Sequence, residues 1–327
     1  MLPWRPLDSP TGGLEAPFRA SHMITTDLPP LAAVIVVRNP QIDRLLLVVK
    51  EMVATVQIVV VIDNGSCPVT ADTLALESEA NERLLVVSHR NIGIASAQNE
   101  AIDLCASRRI DYVLFLDQDT AMTGRAVVEL LHWLREMEHE GEAVAAVGPT
   151  LAGTPRTLVS EYRQEPFLAS SGSIVPLSVL RSVGMFRDEY FIDHVDKEWG
   201  LRARAAGYKS YRAPGIEIPH DFGDGGRVWA GKPRRYHDAP VRAYYLVRNE
   251  ILSWRDLHVS LGQRVLSALT LAKWCIVTLA VTNARGARAK EMWTGACHAV
   301  SHRAGERGST EAAHAPVRFP LEMDVKL

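Results

Sequence analysis

The chain has 327 residues, of which 47% are hydrophobic and 23% are charged, so it can bury one large core or two smaller ones. Its 36 basic and 38 acidic residues give a formal net charge of -2, which excludes the broad positive field of a nucleic-acid-binding protein. The four cysteines form no C-x-x-C pair, which argues against a zinc knuckle or a redox motif and favours a reduced, cytoplasmic chain.

The first 147 residues divide into an irregular segment and a regularly alternating one. Residues 1–30 are rich in Pro, Gly and Ser and lack a continuous apolar run, which predicts disorder and not a secretory signal. Short runs rich in Val and Ile, typical of strands buried on both faces, then lie at 32–37, 58–62, 84–87, 112–116 and 143–147. Helical patterns lie between them at 40–53, 69–82, 94–108 and 124–139. This alternation predicts an α/β fold with a doubly wound, mostly parallel sheet.

Polar residues follow four of these predicted strands. They are Arg38-Asn39, Asp63-Asn64-Gly65-Ser66, Asn91-Ile92-Gly93 and Asp117-Gln118-Asp119. In a doubly wound sheet, ligands bind outside the carboxyl ends of the strands, where helix N-termini offer unpaired N–H groups. We therefore expect these residues to gather at one edge of the sheet, around a ligand.

The acidic triplet at 117–119 follows a fully apolar strand, where carboxylates are costly unless they are solvated or bound to a cation. Mg²⁺ or Mn²⁺ takes such oxygen ligands, and a diphosphate can supply the others. We predict that Asp119 contacts the metal and that Asp117 lies nearer the ribose or a metal-bound water. The structural alternative is that Asp119 or Thr120 caps the following helix.

The pattern after residue 150 is less regular. Residues 191–206 predict a strand end that runs into a helix, within a second half of the same domain at 150–256. Residues 257–303 predict a helical extension and residues 304–327 a flexible tail. The apolar stretch 261–281 contains Lys273 near its middle, which would cost roughly 3 kcal/mol in a bilayer span. An interfacial amphipathic helix is therefore favoured, with a core or dimer-interface helix as the alternative.

Eight sequence blocks carry a resemblance to a known family. In order they are VIVVRNP, VVVIDNGS, RNIGIASAQNEAI, YVLFLDQDT, ASSGSIVP, FIDHVDKEWGLRARAAGY, PHDFGD and YYLVRNE. The blocks cover residues 31–256, and their order resembles that in inverting family-2 glycosyltransferases with the GT-A fold. Among these, the chain is most similar to bacterial rhamnosyltransferases that build surface polysaccharides. The resemblance implies a nucleotide-sugar-binding half at 31–149 and a catalytic and acceptor half at 150–256.

The resemblance also implies roles for several donor-side residues. Asp63 resembles the aspartate that accepts the N3–H of a pyrimidine base, although an Asp-Asn-Gly turn is the structural alternative. Asn91 and Gly93 resemble a loop that lies under the nucleotide, where Gly permits close approach of the backbone. Arg248 belongs to a block that resembles one near the diphosphate or the acceptor, although helix packing would also explain that block.

On the acceptor side, an inverting transfer needs one carboxylate to remove the proton of the acceptor hydroxyl. The family's acidic motif places Asp196 at the position of this base. Because the chain has Val195-Asp196 where a Glu-Asp pair is commoner, Asp193 or Glu198 could hold the role instead. The structural alternative for these acids is a solvated helix start. His220 resembles a further metal ligand of some relatives, with a structural hydrogen-bonding role as the alternative.

The resemblance finally implies substrates and partners. It implies transfer of L-rhamnose from dTDP-L-rhamnose, with Mg²⁺ or Mn²⁺, to a glycan such as one linked to a polyprenyl diphosphate, at the cytoplasmic face of the inner membrane. Homo-oligomers are common in the family, although no repeat or heptad in this chain indicates one. A galactofuranosyl or other hexosyl transferase would share these residues, and a sugar-nucleotide-binding scaffold would need only some of them. A nucleotidyltransferase is disfavoured because no Gly-rich basic loop follows the first strand.

Overall fold

Strands and helices alternate over the first half of the chain as the sequence predicts. The computed structural model describes residues 28–151, 163–218, 226–229, 232–235, 239–256 and 259–308. The first five strands are β1 Leu31–Val37, β2 Ile58–Asn64, β3 Leu84–His89, β4 Tyr112–Asp117 and β5 Val144–Leu151. The helices between them are α1 Ile42–Thr55, α2 Pro68–Glu79, α3 Ile94–Ser107 and α4 Gly124–His139. The predicted disordered segment falls almost wholly outside the described residues, as does most of the predicted tail.

The second half contains five short strands and five helices among its described residues. The strands are β6 Arg163–Glu165, β7 Ile174–Pro176, β8 Lys209–Ile218, β9 Gly226–Trp229 and β10 Lys232–Arg235. The helices are α5 Leu177–Val183, α6 Val195–Ala205, α7 Val241–Ser253, α8 Leu261–Val281 and α9 Arg285–Val300. A single 3-10 turn, Asp188–Tyr190, precedes α6.

The prediction of a strand end before α6 is wrong. Residues 191–194 form a loop in which Phe191, Asp193 and His194 have φ angles of 62°, 65° and 62°. Such positive φ values turn the chain instead of extending it and are strained for residues other than glycine. The apolar pair Phe191-Ile192 mimics the end of a strand in the sequence, but it belongs to this turned segment, here named the acid loop.

Eight strands form one mixed sheet in the order β3-β2-β1-β4-β7-β5-β8-β6, while β9 and β10 pair separately. The pairs β1–β2, β1–β4, β2–β3 and β5–β8 are parallel, whereas β7 runs antiparallel to β4 and β5, and β6 to β8. The register sets Val37 beside Asp63 and Val36 beside Asp117. The two aspartates thus lie at the same edge of the sheet.

Helices cover both faces of the sheet. Alternate residues of β1 separate into two buried clusters, with Ala32 and Val34 on one face and Ala33 and Ile35 on the other. The first face packs against α3, α5 and α6, and the second against α1 and α4. This double coverage explains why the inner strands are apolar on both sides and were recognisable in the sequence.

The helical extension packs on the catalytic half through α7 and α9. At Gly295 of α9, an added Cβ would lie 2.5 Å from the carbonyl oxygen of Tyr244, so glycine permits close contact of the two helices. Helix α8 begins with a capping box between Ser260 and Gln263. By length and composition alone it could span a membrane, because it contains an 18-residue segment with a mean hydropathy of 1.6. Only 6% of that segment is buried within the protein. The alternative of a core helix therefore does not hold.

Candidate active site

Asp63 is the last residue but one of β2 and is almost fully buried. One of its carboxylate oxygens, Oδ1, accepts a hydrogen bond from the Ser66 backbone N–H at 3.0 Å. The adjacent Asn64 uses its side-chain oxygen to accept the Ile92 N–H at 2.7 Å. The turn interpretation of the Asp-Asn-Gly sequence is thus correct for one oxygen of Asp63. That turn also orients the carboxylate at the sheet edge, where a base-binding role is still a prediction.

The loop at 91–93 connects the sheet edge to the acid loop. Gly93 has a φ of 87°, and a Cβ added there would lie 2.6 Å from the ring of Phe191 and 2.8 Å from its carbonyl oxygen. The N–H of Ile94 donates to the same carbonyl at 2.6 Å. Within the loop, the Asn91 side chain accepts the Gly93 N–H at 3.2 Å. The group that approaches Gly93 closely in this structure is therefore Phe191, whereas the resemblance implied a nucleotide.

The acidic triplet occupies the turn that follows β4. Asp117 is the last residue of the strand and is half-buried, while Asp119 is exposed and makes no hydrogen bond or ion pair with another described residue. Gln118 accepts the Arg38 N–H at 2.8 Å, which ties the turn to the end of β1. Helix α4 is capped by Thr123, so neither member of the proposed capping alternative caps it. The carboxylate of Asp119 is accordingly left for solvent or a ligand.

Two serines connect the triplet to the start of α6. The Ser171 hydroxyl accepts the Asp117 N–H at 3.2 Å and lies 2.6 Å from the hydroxyl of Thr120. The preceding Ser170 lies beside Asp196, and its backbone N–H and hydroxyl lower the pKa of that carboxyl. The sequence pattern assigns Ser170 no role of its own. The only signal was its place in the ASSGSIVP block, because the contact joins residues far apart in the chain.

Asp196 has the electrostatics of a general base. Its pKa is raised from the ordinary value of 3.8 to about 6, mainly by burial and in smaller part by the nearby charges of Asp117 and Asp193, against the opposing effect of Ser170. A carboxylate with a pKa near 6 is ionised at neutral pH and is still basic enough to accept a proton. The effect of Asp117 also shows that the start of α6 lies close to the acidic triplet.

The two alternative bases are held by arginines. Buried Glu198 receives two hydrogen bonds of 2.9 Å from Arg202, whose guanidinium also donates to the carbonyls that follow α5. Asp193 pairs with Arg242 at 2.6 Å through one oxygen. An arginine partner fixes the position of a carboxylate and occupies its oxygens. Of these three acids, Asp196 alone makes no ion pair with an arginine of the described residues.

Arg248 lies in the interior and holds the 3-10 turn that leads into the acid loop. Its side chain is fully buried and donates to the carbonyls of Glu189, Tyr190 and Gly305 at 2.9, 3.0 and 2.5 Å. The neighbouring Asn249 donates to the carbonyls of Tyr190, Ile192 and Asp193 at 2.8 to 3.0 Å. Arg248 thus contacts protein carbonyls, whereas the resemblance implied a position near the diphosphate or the acceptor. The pair satisfies the carbonyls of a strained loop that has no ladder of its own.

Comparison with known proteins decides the family. Residues 33–195 match the model of Glycosyl transferase family 2. Over 249 residues the chain is 32% identical to the dTDP-rhamnosyl transferase RfbF of Shigella flexneri, covering 70% of this chain and 81% of that protein. The chain belongs to glycosyltransferase family 2. Enzymatic transfer of a sugar is thereby confirmed as its class of activity.

Solved structures confirm the GT-A type of fold for this glycosyltransferase. The chain is similar to the mannosyltransferase PcManGT from Pyrobaculum calidifontis in complex with GDP-Man and Mn²⁺, with a TM-score of 0.53 and 15% identity over 85% of this chain and 87% of that one. It is also similar to GalNAc-T7 with UDP, GalNAc and Mn²⁺, with a TM-score of 0.54 and 13% identity over 71% of this chain. The match spans about half, 49%, of the GalNAc-T7 chain.

In this glycosyltransferase, Asp119 is the described acid that best fits a divalent cation. Its free carboxylate offers the hard oxygen ligand that Mg²⁺ and Mn²⁺ prefer. No group of three or more His, Cys, Asp or Glu side chains forms a metal site within the described part of the chain. His220, the further predicted ligand, lies outside the described residues.

Proposed function

We propose that this glycosyltransferase is a metal-dependent, inverting rhamnosyltransferase. It transfers L-rhamnose from dTDP-L-rhamnose to a hydroxyl of a glycan carried on a polyprenyl diphosphate, in the synthesis of a bacterial surface polysaccharide. Residues 31–149 bind the nucleotide sugar, and residues 150–256 carry the base and the acceptor. The choice of donor is supported by the 32% identity to a dTDP-rhamnosyl transferase, and no side chain described above distinguishes a 6-deoxy sugar.

The position of Asp196 is the observation that carries the mechanism. It lies at the start of α6, close enough to Asp117 for their charges to interact, and Ser170 orients it. One base beside the donor edge is what a single in-line displacement requires. A retaining mechanism would need a second, nucleophilic carboxylate, and both Asp193 and Glu198 are committed to arginines.

The proposed reaction is a one-step substitution at the anomeric carbon. Asp196 removes the proton of the acceptor hydroxyl as the new C–O bond forms, and the bond between the sugar and the diphosphate breaks on the opposite face. Asp119 would hold Mg²⁺ or Mn²⁺, which supplies positive charge to the departing diphosphate. Asp63 would accept the N3–H of thymine through the carboxylate oxygen that the Ser66 turn does not use.

We also propose that the enzyme binds the cytoplasmic membrane surface through α8. The exposed apolar residues of this helix recur at helical spacing on its outer side, at Leu261, Val265, Leu269 and Ile276. Lys273 lies at the border of this stripe, where it can reach lipid head groups. An apolar stripe with a flanking cation is typical of a helix that lies in the interface and does not span it.

A panel of pyrimidine and purine nucleotide sugars, each with Mg²⁺ or Mn²⁺, tests the donor and the metal. The proposal expects transfer from dTDP-L-rhamnose and loss of activity with EDTA that either metal restores. For the base, Asp196→Asn should bind the donor normally and lose transfer. The matched control is Asp103→Asn, an exposed aspartate of α3 without a described contact. Transfer by the Asp196 variant would move the role of the base to Asp193 or Glu198.

A further inference from the structure

A groove of about 640 Å³ runs between α6, α7 and α8, on the side of α6 away from the sheet. Its walls are mainly apolar and aromatic, and they include Leu201, Leu246, Leu266, Trp254 and Trp274. The volume lies within the range of about 300–1,000 Å³ that is typical of small-molecule sites. None of the residues assigned above to the donor or to the base forms its walls, so the donor site does not account for it.

Helix α6 connects this groove to the base. Its residues Lys197, Leu201 and Arg204 recur every three or four positions and line the groove. Asp196 and Trp199 face the opposite way, toward a small cavity behind Ser170. The base and the groove therefore lie on two faces of the same helix.

A polar network closes one end of the groove and joins its three helices. Glu250 of α7 forms ion pairs with Lys197 at 2.6 Å and His194 at 2.9 Å, and it accepts a short hydrogen bond from Ser267 of α8. Ser267 in turn accepts the indole N–H of Trp254 at 2.7 Å. These partners, His194 foremost, lower the pKa of the buried Glu250 to about 2, so its charge is compensated within the protein.

The charge of the lining favours an anionic ligand. Lys197 is balanced by Glu250, whereas Arg204 is exposed and makes no ion pair with a described residue. The groove thus has an apolar interior and one uncompensated arginine at its α6 side. Leu266, which is 67% exposed, lies between this interior and the apolar outer stripe of α8. The apolar surface is therefore continuous from the outside of α8 into the groove.

We infer that this groove binds a single lipid chain that carries an anionic head group, which is the chemistry of a prenyl diphosphate. The inference rests on the proposed function, because it makes the groove the site for the carrier end of the acceptor. The chain lies between α7 and α8, and Arg204 pairs with the head group.

Calorimetric titration of the full-length protein tests this, with farnesyl diphosphate as the probe and without donor, sugar or metal. Farnesyl diphosphate should bind, and inorganic pyrophosphate should not. Leu266→Gln should weaken binding about fivefold, and the matched Leu269→Gln, on the outer stripe and 65% exposed, should change it less than twofold. Arg204→Gln should weaken binding of farnesyl diphosphate about fivefold and leave binding of farnesol unchanged. The control Arg181→Gln, on the exposed surface of α5, should leave binding of both ligands unchanged.

Three results would overturn the inference. They are absence of farnesyl diphosphate binding, equal effects of the Leu266 and Leu269 variants, and a dimer in sedimentation that Leu266→Gln dissociates, which would make a second copy of the chain the occupant. Because the titration measures binding without turnover, its result can be told apart from a failure of the proposed transfer reaction. Failure there would leave transfer from dTDP-L-rhamnose intact, whereas failure of the donor panel with intact farnesyl diphosphate binding would point to another sugar.

Discussion

Asp196→Asn should abolish activity and yet stabilise the fold at neutral pH. The folded protein raises the pKa of this carboxyl from 3.8 to about 6, mainly through burial. An ionised Asp196 is therefore disfavoured in the folded state relative to the unfolded chain. The contribution of Asp196 to the free energy of unfolding is therefore complete below pH 3.8, where the carboxyl is protonated, and is lost as the pH rises through 6. A shift of about two units corresponds to roughly 3 kcal/mol, at about 1.4 kcal/mol per unit.

The asparagine side chain keeps an oxygen for the bonds from Ser170 and removes the charge. Urea denaturation at pH 7.5 should therefore show a gain of up to about 3 kcal/mol in the free energy of unfolding, and the gain should vanish near pH 4. The control Asp103→Asn should change the free energy of unfolding by no more than about 0.5 kcal/mol at either pH. A loss of stability for Asp196→Asn at pH 7.5 would refute the burial of a charge at this position.

In the unsubstituted enzyme, kcat/KM for transfer should rise with pH and reach half its plateau near pH 6, because Asp196 must be ionised to accept a proton; a flat profile from pH 5 to 8 would contradict this. Glu198→Gln should cost about 3–5 kcal/mol of stability by leaving its buried arginine unpaired, while Glu129→Gln, in an exposed pair, should cost less than about 1 kcal/mol. A Glu198→Gln protein of normal stability without activity would instead identify Glu198 as the base. Val265→Glu combined with Leu269→Glu should reduce sedimentation with anionic vesicles at least about tenfold, and unchanged sedimentation would exclude α8 as the membrane contact.

The first half of the fold was predictable because its signals are local. Each inner strand is apolar on both faces, and a polar turn follows it, so β1 to β4 and the acidic edge appear directly in the sequence. The exposure of α8 was not predictable in this way, because Lys273 argues against a bilayer span but leaves an interfacial helix and a core helix both open. For the strands and the acidic edge, the physical cause lies within about one element of the residues that reveal it.

The contacts that shape the catalytic half join residues far apart in the sequence. Arg248 bonds to Tyr190, 58 positions away, and no local pattern indicates that an arginine will be fully buried against carbonyl groups. The same limit explains the acid loop, because the positive φ of Asp193 and His194 has no glycine to signal it. Ser170 was overlooked for this reason also. Tertiary hydrogen bonds, and not propensities, determine this segment.

These distant contacts meet at the acid loop and at the 3-10 turn before it. Asn249 of α7 holds the acid loop directly, Arg248 holds the 3-10 turn before it, and the N–H of Ile94, next to Gly93, donates to the carbonyl of Phe191. Strained backbone persists only where its surroundings determine it from several sides, and such strain is concentrated at functional sites. Because α6 begins directly after this loop, a displacement of the Gly93 turn would be transmitted to Asp196. The placement of Asp196, the proposed base, therefore depends on the same turn that the family resemblance assigns to the nucleotide.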